Sequence, residues 1–480
     1  MEAENKNTKK EISSNMLWRF ADKWGSQIIS LIITTIIARI LEPEAYGTVA
    51  IINAFINIFS VFSDCGLSDS LIQKKDADDL DYSTAFIANT FLCITIYLVI
   101  FACSPLIAKF YNIDSLTILI RVSAISILIS AYKNIQHAYV AKKLMFKKYF
   151  FASIIGTVGS GILGILMAIN GYGVWALIIS NLFDMAVDTL CCMVMVSWRF
   201  KIGFSFERLK RLFNFGSKIL LVNFIERIYN KLYQLVIGKF YTSEDLAFFD
   251  KGDNLSGKLI SNVDYSISSV LFPVMSDKQN EKDNVKKIAK ETLKINFYIV
   301  TPLLIGLAIV AEPLIKVVFT DKWLPAVPFV RIFCIIRLFV PINTININII
   351  RSLGRSDIYL KQQSMKRILN ILILILTAKY GVMVIAYGLI VNAIKDVIIQ
   401  AYPCKKLIEY SLIEQFKDVL STVIIGLVMG TTVYFVGMIN LGTLEVLIIQ
   451  IVVGIAIYVG TSIITKNNNF YSILNAIRNK

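Results

Sequence analysis

Apolar runs of about 20 residues recur along the whole chain, and they constrain the fold more than any other feature of the sequence. One such run is long enough to cross a hydrocarbon core of roughly 30 Å as a helix. Hydrophobic residues make up 56% of the 480 positions, so too little polar sequence remains to cover several water-soluble domains. The sequence therefore predicts an all-α polytopic membrane protein with about 14 transmembrane helices.

The basic residues of the loops support an even number of spans. The predicted spans are 16–40, 47–67, 83–105, 116–136, 150–170, 173–196, 214–238, 246–272, 292–312, 326–350, 358–378, 381–400, 417–437 and 444–465. The polar start of the chain shows no cleavable signal, so we expect both termini in the cytoplasm. With that orientation, 28 Lys and Arg fall in predicted cytoplasmic segments and four in external loops, as the positive-inside rule requires.

The net charge of +15 comes from the basic residues of those loops, which attract anionic membrane lipids. Because this positive charge is spread over loops between the spans, it argues against nucleic-acid binding. The external loops are short, and no folded catalytic domain fits on either side, so the sequence favours a transporter over an enzyme. The cysteines form no CxxC pair and His137 is the only histidine, so we expect no metal site.

Two halves of the chain resemble each other, which predicts a duplicated bundle. The matches, at offsets of 208, 210 and 208 residues, are 105–111 with 313–319, 119–125 with 329–335, and 171–175 with 379–383. A repeat of six helices returns the chain to the same side, so we expect two lobes related by a pseudo-two-fold axis along the membrane normal, plus two peripheral helices. The predicted segments are an N-tail (1–15), an N-lobe (16–198), a cytoplasmic linker (199–213), a C-lobe (214–400), helices 13 and 14 (401–465) and a C-tail (466–480).

Polar stripes inside the predicted spans locate a candidate cavity. A charged side chain at mid-bilayer costs at least about 2.5–3.5 kcal/mol, so it needs a partner or water. Predicted helix 7 carries Asn223, Glu226, Arg227, Asn230, Lys231 and Gln234 at steps of three and four residues, which is one helical face. A network of structural ion pairs is the alternative explanation for this stripe.

Predicted helices 1, 2 and 8 carry similar stripes, although Arg19 on helix 1 could instead extend to the cytoplasmic interface. Their members are Arg19, Asp22, Lys23, Ser26, Gln27, Ser30 and Thr34; Asn53, Asn57, Ser60 and Asp64; and Asp250, Asp253, Asn254, Lys258, Ser261 and Asp264. By the repeat, helices 7 and 8 correspond to helices 1 and 2. We therefore expect the cavity between helices 1, 2, 7 and 8.

Other features of the spans favour structural roles. For the isolated charges, ion pairs or helix-end anchoring are expected; these are Lys133, Asp184, Asp188, Arg331, Arg337, Lys395 and Asp396. The stretch 159–164 matches GxGxxG but lies in a predicted helix with no preceding strand, so a dinucleotide site is excluded. Gly156, Ser160 and Gly164 instead predict close helix packing.

Several segments resemble bacterial polysaccharide flippases of the Wzx and teichuronic acid type. They are Ala38-Arg-Ile-Leu-Glu-Pro-Glu-Ala-Tyr-Gly47, 66–76, 171–177, 215–220, 237–241 with 249–251, and 271–275. The resemblance implies the fold of the multidrug/oligosaccharidyl-lipid/polysaccharide (MOP) exporter superfamily in a bacterial inner membrane. It further implies that an undecaprenyl-diphosphate-linked oligosaccharide crosses from the cytoplasmic to the outer leaflet by alternating access, for surface polysaccharides such as lipopolysaccharide. A polysaccharide polymerase is the expected protein partner, and coupling to H+ or Na+ stays open.

This substrate suggests roles for the polar residues. A diphosphate needs fixed cations, for which the candidates are Arg19, Lys23, Arg227, Lys231 and Lys258. A glycan needs a hydrated cavity lined by amide side chains, for which the candidates are Asn53, Asn57, Asn223, Asn230 and Asn254. Asp22, Asp64 or Glu226 could bind a coupling cation, and no other cofactor is expected. Family members often have Asn-Arg where this chain has Asp250-Lys251, so a bidentate arginine role does not carry over there.

Three alternatives remain open at this stage. A multidrug/cation exporter of the same fold would need an acidic or aromatic cavity, whereas the stripes mix cations and carboxylates. A flippase for the peptidoglycan precursor would share the diphosphate. A membrane enzyme of glycan assembly would need an external or interfacial carboxylate, and the sequence offers no loop to carry one.

Overall fold

The computed structural model describes residues 25–74, 76–196 and 198–478. Within these residues every regular element is a helix, as the apolar runs predict. A helix satisfies its own backbone hydrogen bonds, which is a requirement in hydrocarbon. In the described part of the chain, ten helical segments are long and apolar enough to cross a membrane, so the chain is a multi-pass membrane protein. The total of 14 stays a prediction, because the helices over predicted spans 7, 8 and 11 are more polar and the first span is described only from Gly25.

The contacts divide the chain into two compact units, Met1–Leu246 and Ala247–Lys480. The helices in chain order are α1 (Gly25–Ile40), α2 (Pro43–Phe59), the 3-10 helix η1 (Ser60–Ser63), α3 (Leu67–Gln73), α4 (Asp79–Tyr111), α5 (Leu116–Ser123), α6 (Ile125–Lys142), α7 (Phe146–Ile169), α8 (Val174–Met195), α9 (Phe206–Phe240), α10 (Ser243–Asp277), α11 (Lys282–Phe319), η2 (Asp321–Ala326), α12 (Val327–Leu338), α13 (Val340–Ser352), α14 (Ser356–Thr377), α15 (Val382–Ile408), α16 (Leu412–Val436), α17 (Thr443–Ile464) and α18 (Asn468–Arg478).

Helix α9 belongs to the first unit, where it packs against α2, α3 and α4. The boundary between the compact units therefore falls after this helix, whereas the predicted C-lobe begins within it, at residue 214. The two six-helix lobes of the transport cycle stay a prediction.

The sequence repeat reappears as a repeated local structure within each unit. Pro105 and Pro313 lie inside the long helices α4 and α11, six residues before the helix ends. Proline cannot donate a backbone hydrogen bond, so it leaves a carbonyl of the preceding turn without its helical partner. The Arg121 Nε atom donates to that carbonyl, of Phe101, at 3.3 Å. In the second unit Arg331, the repeat partner of Arg121, donates to a carbonyl beside its own proline kink at 3.2 Å.

The small residues of α7 allow close packing, as their spacing predicts. Gly156, Ser160 and Gly164 are all buried. A Cβ atom on Gly156 would lie 3.0 Å from the Asp184 carbonyl oxygen of α8, and one on Gly164 would lie 3.0 Å from the Ser180 Cβ atom. A larger residue at either glycine would push α7 and α8 apart.

Ion pairs account for most of the isolated charges in the spans. Lys133 of α6 pairs with Asp188 of α8 at 2.6 Å, and Arg337 of α12 pairs with Asp253 of α10 at 2.5 Å. Asp396 of α15 lies 3.3 Å from both the Lys366 and the Lys395 ammonium groups, and Arg331 lies 3.7 Å from Glu312. The predicted ion-pairing of these residues is confirmed. Asp184 is the exception, since it is in no ion pair among the described residues.

Candidate functional site

A polar cavity of about 670 Å3 lies within the first unit. Its wall is formed by η1 with the loop that follows it, α3, α6 and α9. The lining residues are Ser60, Val61, Ser63, Asp64, Gly66, Ser68, Asp69, Ile72, Ser130, Asn134, His137, Ala138, Ala141, Leu220, Asn223, Glu226, Arg227 and Asn230. We call this space the polar cavity.

The break after α2 positions Asp64 on the cavity wall. The apolar helix ends at Phe59, and the chain turns through Cys65 and Gly66, whose φ angles are 46° and 69°. Asp64 then accepts hydrogen bonds from the backbone N–H of Ser68, at 3.1 Å, and from its hydroxyl. These bonds satisfy a free donor at the start of α3 and hold the carboxylate in one orientation.

Helix α6 contributes three uncharged polar side chains to the wall, at positions 130, 134 and 137. The Asn134 amide donates to the Ser63 carbonyl at 3.3 Å, and the Ser68 hydroxyl oxygen lies 3.2 Å from the Asn134 carbonyl oxygen. The His137 ring is exposed and meets the Tyr149 ring edge-on, with centroids 4.4 Å apart. These contacts fix α6 against η1 and α3, so the wall is one connected structure.

Helix α9 is held against α2 and α4 near its end, which fixes the stripe that it presents. The Tyr111 hydroxyl of α4 donates to the Leu235 carbonyl at 3.1 Å. Gly238 allows the helix to approach α2 closely, because a Cβ atom there would lie 2.8 Å from the Ile51 Cγ1 atom. The stripe itself faces the cavity with Asn223, Glu226, Arg227 and Asn230.

The charges of the cavity wall are mixed. Three carboxylates, of Asp64, Asp69 and Glu226, face it together with one guanidinium, of Arg227. No described carboxylate pairs with Arg227, nor with Lys231 and Lys258, whereas the cations Lys133, Arg337, Lys366 and Lys395 are all paired. An unpaired guanidinium can bind a phosphate oxygen, and the carboxylates can bind a cation. The alternative of a structural ion-pair network around Arg227 finds no support in the described residues.

The predicted site residues fall into three groups. Five line the polar cavity: Asp64, Asn223, Glu226, Arg227 and Asn230. Five others do not line it: Asn53, Asn57 and Lys231 in the first unit, and Asn254 and Lys258, which are exposed on α10. Arg19, Asp22 and Lys23 lie outside the described residues.

Two of the predicted amides bond within their own helices. The Asn57 Nδ2 atom donates to the Asn53 carbonyl at 2.7 Å. The Asn254 Nδ2 atom donates to the Asp250 carbonyl at 2.9 Å and to the Asp250 carboxylate at 2.7 Å. The Asn57 bond uses one of its two amide donors, and the two Asn254 bonds use both of its donors.

The described part of the helix 1 stripe lines a second cavity, of about 460 Å3, between α1, α6, α7 and α8. Ser26, Gln27, Ser30 and Thr34 face it, and the Lys133–Asp188 ion pair lies in its wall. The stripes of helices 1 and 7 thus line separate cavities within the first unit.

Sequence reasoning missed the polar face of α6. Ser130, Asn134 and His137 follow the same spacing of four and three residues as the stripe on α9, and that spacing was the available signal. Each stripe that was selected contains at least one charged residue, and these three residues supply neither a charge nor a second histidine.

Comparison with known proteins gives a consistent result. The model of a family described as "Polysaccharide biosynthesis protein" matches residues 36–328. The teichuronic acid biosynthesis protein TuaB of Bacillus subtilis is 23% identical over 78% of each chain. The succinoglycan biosynthesis transport protein ExoT of Rhizobium meliloti is 21% identical over 70% of this chain and 68% of its own length. The lipopolysaccharide biosynthesis protein WzxC of Escherichia coli is 23% identical over 72% of this chain and 70% of its own length.

Solved structures share the fold. The lipid II flippase MurJ, in an inward closed conformation, aligns with a TM-score of 0.77 over 94% of this chain and 99% of its own, at 15% identity. An inward-facing multidrug resistance MATE family transporter of the MOP superfamily aligns with a TM-score of 0.62 over 80% of this chain and 96% of its own, at 14% identity. The predicted fold, which these transporters share, is therefore confirmed.

Proposed function

Because the chain belongs to the family of polysaccharide biosynthesis proteins, we propose that it is a flippase for a lipid-linked oligosaccharide. The substrate moves from the cytoplasmic to the outer leaflet by alternating access and supplies surface polysaccharide synthesis. Relatives named for teichuronic acid, succinoglycan and lipopolysaccharide biosynthesis support this class of substrate, and the name of one of them includes transport. The proposal includes a bacterial inner membrane, cytoplasmic termini, an undecaprenyl diphosphate carrier and a polymerase as partner.

The observation that carries the proposal is the unpaired Arg227 on the wall of the polar cavity. A cation in a membrane-spanning helix costs at least about 2.5–3.5 kcal/mol unless water or an opposite charge compensates. Lys133 and Lys395 have carboxylate partners for that purpose. Arg227 has none among the described residues and is exposed on the cavity wall, so water hydrates it in the absence of substrate and an anionic group of the substrate can take the place of that water. A diphosphate matches the forked donors of a guanidinium.

The amides beside Arg227 suit the sugar next to the phosphates. Asn223 and Asn230 flank it on the same face of α9, and Asn134 and Ser130 face it from α6. In this proposal Arg227 binds the diphosphate and the amides and hydroxyls bind the glycan, while Lys231 and Lys258 supply further cations at other stages of the cycle. Asp64 or Glu226 binds the coupling cation.

One observation favours the alternative of a multidrug/cation exporter. Three carboxylates against one guanidinium give the cavity wall a surplus of negative charge, which suits a cationic ligand. The family and the names of the relatives support polysaccharide over drug. The alternative has a direct test: expression of the chain in a drug-sensitive strain would raise resistance to cationic drugs, whereas the flippase proposal expects no change.

The proposal is tested by reversing the charge of Arg227. In a strain whose surface polysaccharide depends on this chain, Arg227→Glu should abolish the polysaccharide and accumulate its lipid-linked precursor, while the protein level in the membrane stays near wild type. Arg227→Lys keeps the charge but loses the forked donors, so we expect partial export. Lys379→Glu, at an exposed position outside the cavity, is the matched control for charge reversal. Wild-type polysaccharide in the Arg227→Glu strain would remove Arg227 from the site.

A further inference from the structure

An apolar groove of about 940 Å3 lies beside the polar cavity in the first unit. It is formed by α3, α4, the start of α9 and the segment before α9. Nine of its twelve lining residues are apolar, among them phenylalanines at positions 91, 204, 206 and 213. Phe91 is 72% exposed and Phe206 is 73% exposed, so the groove is open rather than sealed inside the unit.

Charged groups border this groove at the start of α9. Glu207 and Arg211 face it and form an ion pair with each other. Lys210 also faces it, and no described carboxylate pairs with its ammonium group. The border therefore carries one net positive charge. The segment before α9 is predicted to lie on the cytoplasmic side, where such a charge meets the phosphates of the inner leaflet.

The groove and the polar cavity share two helices. Leu67 of α3 faces the groove, whereas its neighbours Gly66 and Ser68 face the cavity. Helix α9 presents residues up to Phe213 to the groove and residues from Leu220 onward to the cavity. Lys210 and Arg227 are 17 residues apart on this helix, which corresponds to about 25 Å along its axis.

We propose that the groove binds the polyprenyl chain of the lipid-linked substrate, with its diphosphate first held at Lys210 and later passed to the polar cavity. The inference rests on the proposed function and adds to it a docking site in the cytoplasmic leaflet. A long amphiphile needs an apolar and a polar compartment next to each other, and α3 and α9 separate two compartments of that kind. An ordinary phospholipid would use the groove and the cation, but it would have no use for the cavity on the same helix.

The experiment uses the full-length protein in nanodiscs and a C55 polyprenyl diphosphate with a photoactivatable group on its chain. Cross-linked peptides are identified by mass spectrometry, and the affinity of the unmodified lipid is measured by competition. The groove variants are Phe91→Ser with Phe206→Ser, and Lys210→Gln. Phe435→Ser, at a position of α16 that is 61% exposed, and Lys379→Gln are the matched controls.

We expect cross-links in the α4 and α9 peptides that line the groove, and a loss of affinity of about tenfold or more in the groove variants but not in the controls. Equal displacement of the probe by phosphatidylglycerol would make the groove a general phospholipid site and overturn the inference. Cross-links elsewhere with unchanged affinity in the groove variants would overturn the inference and leave the proposed function standing. Failure of the wild-type protein to bind the polyprenyl diphosphate at all would overturn both.

Discussion

Gly47, the last residue of the segment Ala38–Gly47, is required by a contact that determines where α9 lies. A Cβ atom at this position would stand 1.5 Å from the Ser243 carbonyl oxygen and 2.3 Å from its carbonyl carbon. Ser243 lies just beyond the end of α9, so Gly47 allows α2 to pack against the turn that ends the helix of Arg227. We predict that Gly47→Ala displaces α2 from this turn and destabilises the first unit.

The magnitude follows from the overlap and from how firmly the carbonyl is held. An ordinary contact begins at 3.4 Å, so the two backbones must separate by about 1.9 Å. The carbonyl cannot rotate away like a side chain, because Thr242 and Asp245 fix this turn through reciprocal hydrogen bonds. Overpacking costs typically 1–3 kcal/mol, and a backbone contact belongs at the upper end, about 3 kcal/mol. For a unit of this size the unfolding temperature should fall by roughly 6–12 °C.

Thermal unfolding of the purified protein in detergent measures this change, with Gly460→Ala as the control. Gly460 lies inside α17, and no atom lies within 4 Å of the point where its Cβ atom would stand, so alanine there should leave the unfolding temperature unchanged or raise it slightly. Polysaccharide export should fall with Gly47→Ala, because the walls of the polar cavity move apart. An unfolding temperature of Gly47→Ala equal to that of Gly460→Ala would refute the reasoning.

Two further predictions concern ion pairs. Lys133→Met leaves the buried Asp188 carboxylate unpaired and should destabilise the protein by roughly 3–5 kcal/mol. In the double variant Lys133→Met with Asp188→Leu, part of that stability should return, as measured by thermal unfolding. Additive losses of stability from the two substitutions would contradict the pairing. Outside the membrane spans, the hydrogen bond from Arg208 holds the pKa of Asp78 below its usual value. This carboxyl therefore stabilises the folded state above its unfolded pKa of about 4 and ceases to do so as the pH falls through its folded pKa. Between pH 5 and pH 3, the unfolding temperature should fall less in Asp78→Asn than in the wild type. The difference should be small, because the Asp78 side chain is about half exposed. An equal fall in both proteins would count against the contact between Asp78 and Arg208.

The recurring apolar runs predicted the helices well, because each span in hydrocarbon has to satisfy its backbone hydrogen bonds within itself. The predicted span 83–105, for example, lies inside α4. Besides the break after α2, two predicted spans are interrupted in the structure, after Ser123 and after Leu338. The second break has a signal in Pro341, which starts a new helix readily in its first turn. No residue near Ser123 signals the first break, so hydropathy alone could not reveal it.

The site was predictable in part, since periodicity shows which residues share a face but not what that face meets. On α9 the stripe lies on the cavity wall, as at Asn223 and Arg227. On α2 the stripe was predicted to continue from Asn53 to Asp64, but the helix ends at Phe59, and the turn places Asp64 on the wall without Asn53. Only the fold could show where the chain leaves the helix.

Polar residues in the spans of this chain have two structural outcomes, and α14 and α9 illustrate them. Both helices are too polar for an ordinary membrane crossing. On α14 the buried Lys366 finds Asp396 of α15 at 3.3 Å, so its charge is compensated within the protein. On α9 no described neighbour places a carboxylate within ion-pair distance of Arg227, although Asp64 lines the same cavity. Arg227 is exposed on the cavity wall, where water hydrates its charge, whereas Lys366 is buried and needs a carboxylate. If the proposed function holds, the presence or absence of a carboxylate partner, rather than polarity, separates the candidate substrate-binding residue Arg227 from the structural Lys366.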